Sequence, residues 1–480
     1  MAKSNQPAKP TSFPDSPKHD DLRGYLLELY ARVLGARIPT DQFVGGFLRR
    51  RPTLVGGAKG FLAATLYSLL RNRYKTLLLA AGAENAAQLP SPSHPESLLT
   101  AFSAPIEAAL AMARWLQQDM GLERGAAMGA MEKALAAARS REPLPGEEPL
   151  SWEGPILDTV RGFSRRIAND PGLAKAPELL RAAMRTSAAP ELLERWQARF
   201  GVAEGEALAQ SFAGYAPLDL RLSLRRCPTD RALEVLAAAG VEAARAPYSP
   251  DGIRLLQKVA LRRLEEFKEE WYEVQDEGSQ LVSHAVAPQP GWKVLDACAG
   301  AGGKTLHLAE LGGPECRIFA HDQEAARLEP LRKRHTLAGL ENIRILEPGT
   351  AAEHGPYDAV LIDAPCLALG RLRRDPALAW RAPLGERLAE ANALQRQCFQ
   401  QYASMVKPGG VLVYAVCSIE PEETTGMVDA LAEVAPELVP DSLPGPFANP
   451  ELHGPVPSQA TLLPSVQGTD GFFIARWRRS

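Results

Sequence analysis

The spacing of apolar positions changes twice along the chain, and each change marks a different kind of element. From Asp20 to Arg141 the period is helical: Leu22, Tyr25, Leu26, Leu29 and Val33 recur at i, i+3, i+4 and i+7, behind Asp20 and Asp21 as capping residues and ahead of Gly35. Phe61, Leu62, Leu66, Leu69, Leu70 and Leu77 repeat the spacing, and an Ala-rich stretch follows from Ala101 to Ala138. A helical bundle is expected over 20–141, after a disordered polar lead at 1–19. The turn-rich run SREPLPGEEPLSWEGP opens a stretch of linker and helices at 142–189. The period then drops to two: Leu218, Leu220, Leu222 and Leu224 alternate with Asp219, Arg221, Ser223 and Arg225. That predicts a strand with one polar face carrying arginines. A short helix, Arg231 to Ala239, ends at Gly240, and a small α/β lobe is expected over 190–280.

A third rhythm begins near Trp292. Short apolar runs alternate with helical segments in KVLDACAGAGGKTLHLAEL, RIFAHDQEAARLEPLRKRH, YDAVLIDAPC and GGVLVYAVCS. This βαβα order predicts a parallel sheet covered by helices over 281–480. The tail TLLPSVQGTDGFFIARWRRS reads as two antiparallel strands closing the sheet edge. The fold class is thus multidomain, with a carboxyl-terminal Rossmann-like α/β domain, a small α/β lobe and an amino-terminal helical bundle.

The totals narrow the chemistry. The length, 480 residues, exceeds one ordinary core. A net charge of −3 does not advertise a dedicated nucleic-acid binder, so any such contact has to be local. The six cysteines form no Cys-x-x-Cys pair, which argues against zinc and for a reducing compartment. No apolar run approaches the roughly 20 residues that span a bilayer. A cytoplasmic protein with no membrane, no metal and no partner subunit is expected.

Two places carry candidate chemistry. In VLDACAGAGGKT, Gly300, Gly302 and Gly303 lie between a strand and a helix starting near Lys304, and Asp322 ends the next strand. A Walker A loop fails, because its first glycine falls on Cys298. Either an adenosine-containing cofactor sits on this loop with its ribose on Asp322, or the loop is a tight βα turn with a nearby acid. The second place joins Asp363 and Cys366, after one strand, to Cys417, after another. In a parallel sheet these ends converge on the glycine loop. Two thiols and a carboxylate suit nucleophilic chemistry on an electron-poor ring; the bland alternative is a pair of buried, inert cysteines. Arg371, Arg373, Arg374 and Arg381 follow Cys366, either as phosphate contacts or as a solvated face.

These residues, together with VQDEGSQ (274–280), DACAGAGGKT (296–305), DAPC with LRRDP after it, VKPGGVLVYAVCSIEPEE (406–423) and GTDGFF (468–473), resemble the Sun/Fmu (RsmB-like) family of RNA cytosine-C5 methyltransferases. The resemblance covers about the last 300 residues. It implies S-adenosylmethionine as cofactor, held by Cys298, Ala299, Gly300, Ala301, Gly302, Gly303, Lys304, Asp322 and Asp363. It implies Cys417 as the nucleophile at C6 of cytosine, Cys366 as the thiol that helps release the product, and Asp363 against the base edge. Structured RNA, most simply ribosomal RNA, is the implied substrate, contacted by Arg371, Arg373, Arg374 and Arg221. Transfer RNA, or a role as a catalytically weakened RNA-binding assembly factor, are the alternatives. The family pattern differs here at Val416, where threonine is usual, at Leu367, and at Pro348 in place of an acid. The helical part is similar in position and length to an antitermination-factor-like (NusB-like) RNA-binding domain, and the lobe resembles the RNA-recognition-like module preceding the catalytic domain.

Overall fold

The computed structural model describes residues 19–36, 38–55, 57–81, 102–152, 156–166, 177–257, 259, 261, 264, 271–380, 384–449, 452 and 458–480. The polar lead before residue 19 and Arg381 lie outside the described residues. The chain divides into two compact units, one built from Ala8–Tyr215 with Leu372–Arg381, the other from Ala216–Arg371 with Ala382–Ser480.

The first unit is helical: α1 (His19–Leu34), α2 (Thr40–Arg49), α3 (Ala58–Arg71), α4 (Arg73–Ala81), α5 (Ala104–Arg114), α6 (Arg124–Arg139), α7 (Ile156–Arg166), α8 (Glu178–Thr186), α9 (Pro190–Phe200) and α10 (Val202–Ala213). The repeat read from Phe61 to Leu77 is two helices, because Asn72 stops the first and its side chain donates to the Ser68 carbonyl at 2.9 Å. Leu26, Tyr30, Phe47, Leu66, Leu110 and Trp115 make the core. The alanines of α5 let its neighbours approach on most sides. Its one acid, buried Glu107, is satisfied by Arg73 at 2.6 and 2.9 Å and by the Tyr30 hydroxyl at 2.9 Å. The segment Leu372–Arg381 is part of this unit. Trp380 stacks on Tyr74 with ring centroids 5.9 Å apart, and Arg71 donates to the Arg373 carbonyl at 2.8 Å. Asp375 accepts from the Thr40 hydroxyl at 2.6 Å, placing a carboxylate at the start of α2, where the helix dipole favours one.

The second unit contains the lobe and the large sheet. In the lobe, β1 (Leu218–Leu222), β2 (Ala243–Arg245), β3 (Gly252–Leu255) and β4 (Tyr272–Val274) form an antiparallel sheet in the order β2-β3-β1-β4, with α11 (Thr229–Ala238) on one face. Leu220, Leu222, Ile253 and Leu255 pack there against Val235 and Leu236. The polar face differs from the expectation. The strand stops at Leu222, so Leu224 and Arg225 lie exposed in a turn. Asp219 and Arg221 are only 1% and 2% exposed, because α12 (Glu277–Val286) and α13 (Gly303–Gly312) lie over that face. Arg254 pairs with Asp219 at 2.7 Å, and Arg221 with Glu310 of α13 at 2.5 Å.

The large sheet runs β7 (Ile343–Ile345), β6 (Arg317–Ala320), β5 (Lys293–Asp296), β8 (Tyr357–Asp363), β9 (Val406–Val416), all parallel, and then antiparallel β12 (Phe472–Arg479). β10 (Leu438–Pro440) and β11 (Gln459–Leu462) pair with the far side of β12. The tail strand β12 is therefore inside the sheet rather than at its edge. Helices α12, α13, α14 (Glu329–Ala338), α15 (Leu384–Tyr402) and α16 (Thr425–Val434) belong to the same unit. Burial on both faces explains why β9 reads as a continuous apolar run, Val411 to Val416. The strand order reverses at β5 and β8, and ligands in such sheets bind beyond the carboxyl ends at that point. Behind it, Asp251 accepts from His284 at 2.9 Å and from fully buried His307 at 2.5 Å, tying the lobe to α12 and α13. Burial lowers His307 to about 4, so its contact with Asp251 is a hydrogen bond from a neutral imidazole.

Candidate active site

Strands β8 and β9 run side by side with Asp363 opposite Ala415, so the loops leaving them start as neighbours. The Ala364 N–H donates to the Ala415 carbonyl at 2.9 Å, and the Gly370 N–H donates to the Cys417 carbonyl at 3.0 Å. Between these ties Ala368 takes a left-handed φ of 57°, an uncommon conformation for a residue with a side chain. Gly370 admits no side chain: a Cβ there would run into the carbonyl of Gly471, whose N–H donates to the Gly370 carbonyl at 2.8 Å. Gly471 belongs to the closing GTDGFF run, which accounts for that motif. The outcome is that Cys366 Sγ and Cys417 Sγ lie 3.5 Å apart, both partly exposed.

The two sulfurs are not equivalent. Cys417 is held below its ordinary pKa, first by the Cys366 thiol donating to it and then by the positive charges of Arg371 and Lys304, against burial and Asp363. Cys366 is held well above its own by Cys417, by burial and by Glu423. Of the two, Cys417 is the one that gives up its proton more readily, and the thiolate is the reactive form. Lys304 Nζ reaches Asp363 Oδ2 at 2.7 Å. Burial alone would lower the Lys304 pKa, but the charges of Asp363, Cys417 and Asp296 outweigh it and raise it.

The glycine loop lies on the same sheet edge. Gly300 and Gly302 have φ of +50° and +84°, and a Cβ on Gly302 would collide with Leu331 of α14. The loop is pinned to the end of β6: the Ala299 N–H donates to the His321 carbonyl at 2.8 Å and the Gly300 N–H to Asp322 Oδ2 at 3.0 Å. Arg334 donates to the carbonyl of exposed Ala301 at 2.5 Å, and Gly303 and Lys304 open α13. Cys298 faces Cys398 of α15, which together with burial raises its pKa and keeps it a thiol. At the root of the loop, buried Asp296 accepts from the Thr305 hydroxyl at 2.6 Å through one oxygen, while the other has no hydrogen-bond partner. Burial pushes Asp296 up to about 7; Thr305 holds it down, and the neighbouring Asp363 raises it further.

Residues 283–478 match the model of the 16S rRNA methyltransferase RsmB/F family, and residues 191–262 match the ferredoxin-like domain of RsmF/B-like methyltransferases. Ribosomal RNA small subunit methyltransferase B of Pseudomonas syringae is 32% identical over 329 residues, which are 68% of this chain and 72% of that protein. The chain belongs to the RsmB/F family. Alignments with eight curated relatives span 59% to 74% of their lengths. Among solved structures, PH0851 shares the fold over 98% of this chain and 99% of its own, with a TM-score of 0.73 at 22% identity. NSun6 from Pyrococcus horikoshii, solved with SFG, does so over 60% and 97%, with a TM-score of 0.52 at 18% identity.

This RsmB/F member is an S-adenosylmethionine-dependent RNA methyltransferase. The residues present fit that cofactor. It carries positive charge on its sulfonium and its amino group, and three acids, Asp296, Asp322 and Asp363, lie around the loop, Asp296 with an unpartnered oxygen. The arginines separate into three kinds. Arg371 is exposed and acts on Cys417, and Arg374 is half-buried. Arg373 and Arg221 are 5% and 2% exposed, so neither offers its guanidinium to a surface. Sequence reasoning gave no role to Asp296 or Glu423, although both stand in the quoted motifs. The available signal for Asp296 was an acid at the last position of an apolar strand.

Proposed function

We propose that this enzyme methylates C5 of a cytosine in small-subunit ribosomal RNA through a transient bond between Cys417 and C6 of the base. What carries the reading is the pair of sulfurs, 3.5 Å apart beyond the carboxyl ends of β8 and β9, with the lowered pKa on Cys417. The ribosomal substrate rests on the names of the relatives, which are ribosomal RNA small subunit methyltransferases B.

C5 of cytosine is a poor nucleophile until the 5,6 double bond is saturated. Cys417, as thiolate, adds to C6, and the electron pair of that double bond moves onto C5 and the ring nitrogen. Asp363, kept in place by Lys304, faces the base edge at that nitrogen. The loop from Cys298 to Lys304, together with Asp322, would hold S-adenosylmethionine, which would supply the methyl group as an electrophile. Cys366 then changes character. The foremost cause of its high pKa is Cys417, and a Cys417 bonded to carbon has neither a lone-pair charge to accept the thiol nor a charge to repel it. Cys366 can lose its proton to water, take the proton from C5, and let the 5,6 double bond reform as the bond from Cys417 to C6 breaks. The target base has to be unstacked at a cost of a few kcal/mol, so a cytosine in a loop is the cheaper substrate.

The test uses both thiols. Cys417→Ala should transfer no methyl group, while Cys366→Ala should leave RNA attached to protein as a denaturant-resistant adduct. A Cys366→Ala enzyme that turns over normally with no adduct refutes the assignment. Labelled methyl transfer to total RNA, followed by mapping of 5-methylcytosine, separates ribosomal from transfer RNA, and no label at all leaves an assembly factor.

A further inference from the structure

Glu423 closes the run that contains Cys417, yet it touches neither sulfur. It is 0% exposed, and burial raises its pKa. Burying an acid is costly unless its oxygens are used. Its Oε1 accepts from the Leu367 N–H at 2.9 Å and from Gln395 Nε2 at 3.1 Å. The same Gln395 nitrogen donates to the Pro365 carbonyl at 2.9 Å. The residues immediately before and after Cys366 are thus both tied to this one pair of side chains. The second loop is tied as well. The Tyr414 hydroxyl, three residues before Cys417, donates to the main-chain carbonyl of residue 423 at 2.8 Å, and Ser418, one residue after Cys417, helps hold the Glu423 pKa down. Tyr414 and Ser418 are themselves fully buried. The Glu423 side chain, with one glutamine of α15, therefore brackets Cys366 on both sides, while the main chain of residue 423 ties the strand leading to Cys417.

We infer that Glu423, supported by Gln395, is a positioning residue that sets the spacing of the Cys366 and Cys417 loops for the reaction proposed above. The inference rests on that reaction for its catalytic meaning but not for its geometry. A carboxyl oxygen is suited to the task because it takes two donors at once, one from a backbone amide and one from a side chain, which no apolar residue of the same volume does. A loop held this way loses rate when released, since a displacement of about 1 Å in a reacting group costs on the order of a hundredfold.

The spacing can be read without any RNA. A disulfide forms only when the two sulfurs can meet at about 2 Å with their β-carbons near 4 Å, so its rate of formation reports how the loops are held. The full-length protein is treated with diamide, which takes up two electrons and two protons as the thiols couple, and the peptide linking Cys366 to Cys417 is quantified by mass spectrometry. Glu423→Ala and Gln395→Met should each slow this linkage at least about tenfold, and Glu423→Gln, which keeps the oxygen that accepts from Leu367, should restore most of it. In single-turnover methylation the first two should lower the rate constant by about ten- to a hundredfold with the cofactor KM unchanged, and Glu423→Gln should again recover. If Glu423→Ala unfolds, Gln395→Met and Glu423→Gln still decide the matter. Linkage at the wild-type rate in Gln395→Met, or a Glu423→Gln protein as slow as the most impaired variant, overturns the inference. Slowed linkage in variants of an enzyme whose wild type puts no methyl group on cytosine would instead retire the proposed reaction and leave the positioning role standing.

Discussion

Replacing Arg221 by methionine separates two roles for that guanidinium, an RNA contact on an open strand and one half of a buried ion pair. In the structure its Nη1 lies 2.5 Å from Glu310 Oε2 and its Nε 2.8 Å from Gln275 Oε1. Methionine keeps most of the stem's packing but leaves Glu310 without a counter-charge, and breaking a buried pair in this way costs about 3–5 kcal/mol. The Glu310 side chain is 15% exposed, so water reaches it and the lower figure applies, about 3 kcal/mol. For a unit of this size that corresponds to a fall in Tm of about 6–12 °C. Differential scanning calorimetry of the full chain measures it, with the Arg221→Met, Glu310→Leu double variant recovering much of the loss because no orphaned charge remains. RNA affinity, measured by filter binding well below the transition and across salt, should stay within about twofold, with an unchanged salt slope. A variant that melts with the parent but loses RNA affinity and flattens the salt slope would refute the burial argument and put Arg221 at the RNA.

Asp296 titrates near 7, above the ordinary carboxylate range, so the folded state keeps a proton that the unfolded chain has already released. Its contribution to stability is complete at low pH and is lost as pH rises toward 7; Asp296→Asn should remove that part of the pH dependence of denaturant midpoints. Calorimetric titration should find S-adenosylmethionine bound more tightly as pH rises through 7 and the acid ionises beside the cationic ligand, with Asp296→Asn flat over the same range. Arg371→Gln withdraws positive charge from Cys417, so the alkylation of Cys417 by iodoacetamide should shift to higher pH and slow at neutrality; an unmoved profile would mean that Arg371 does not stabilise the thiolate.

The parallel sheet was legible because its strands are buried on both faces and read as short apolar runs ended by acids and glycines. Once β8 and β9 are strands, Asp363 and Cys417 have to emerge on one edge, and the convergence of the two thiol loops needed no further information. Their separation was another matter, since it depends on the backbone contact of Gly370 with Gly471, a pair a hundred residues apart in sequence. Arg221 was misjudged for a general reason. Period-two alternation tells which residues share a face, not what covers the second face, and here α12 and α13 cover it. Arg373 was misjudged because a run of arginines looks solvated until the fold takes that stretch into a helical core. Glu423 was hidden by its neighbourhood: in a run ending Glu-Pro-Glu-Glu both Glu420 and Glu423 turn inward, and nothing in the sequence distinguishes the one that meets Leu367.

The membership of Leu372–Arg381 in the helical unit has a consequence for how the protein is made. The ribosome delivers the described helices of this unit long before it delivers Trp380 and Asp375, the stacking partner of Tyr74 and the cap of α2. That unit can finish packing only after four of the eight strands of the large sheet have been made, so the amino-terminal part is not a detachable module. A version cut before residue 216 would leave Leu372, Leu378 and Trp380 as an apolar tongue with nothing to bury it, a few residues from a reactive sulfur.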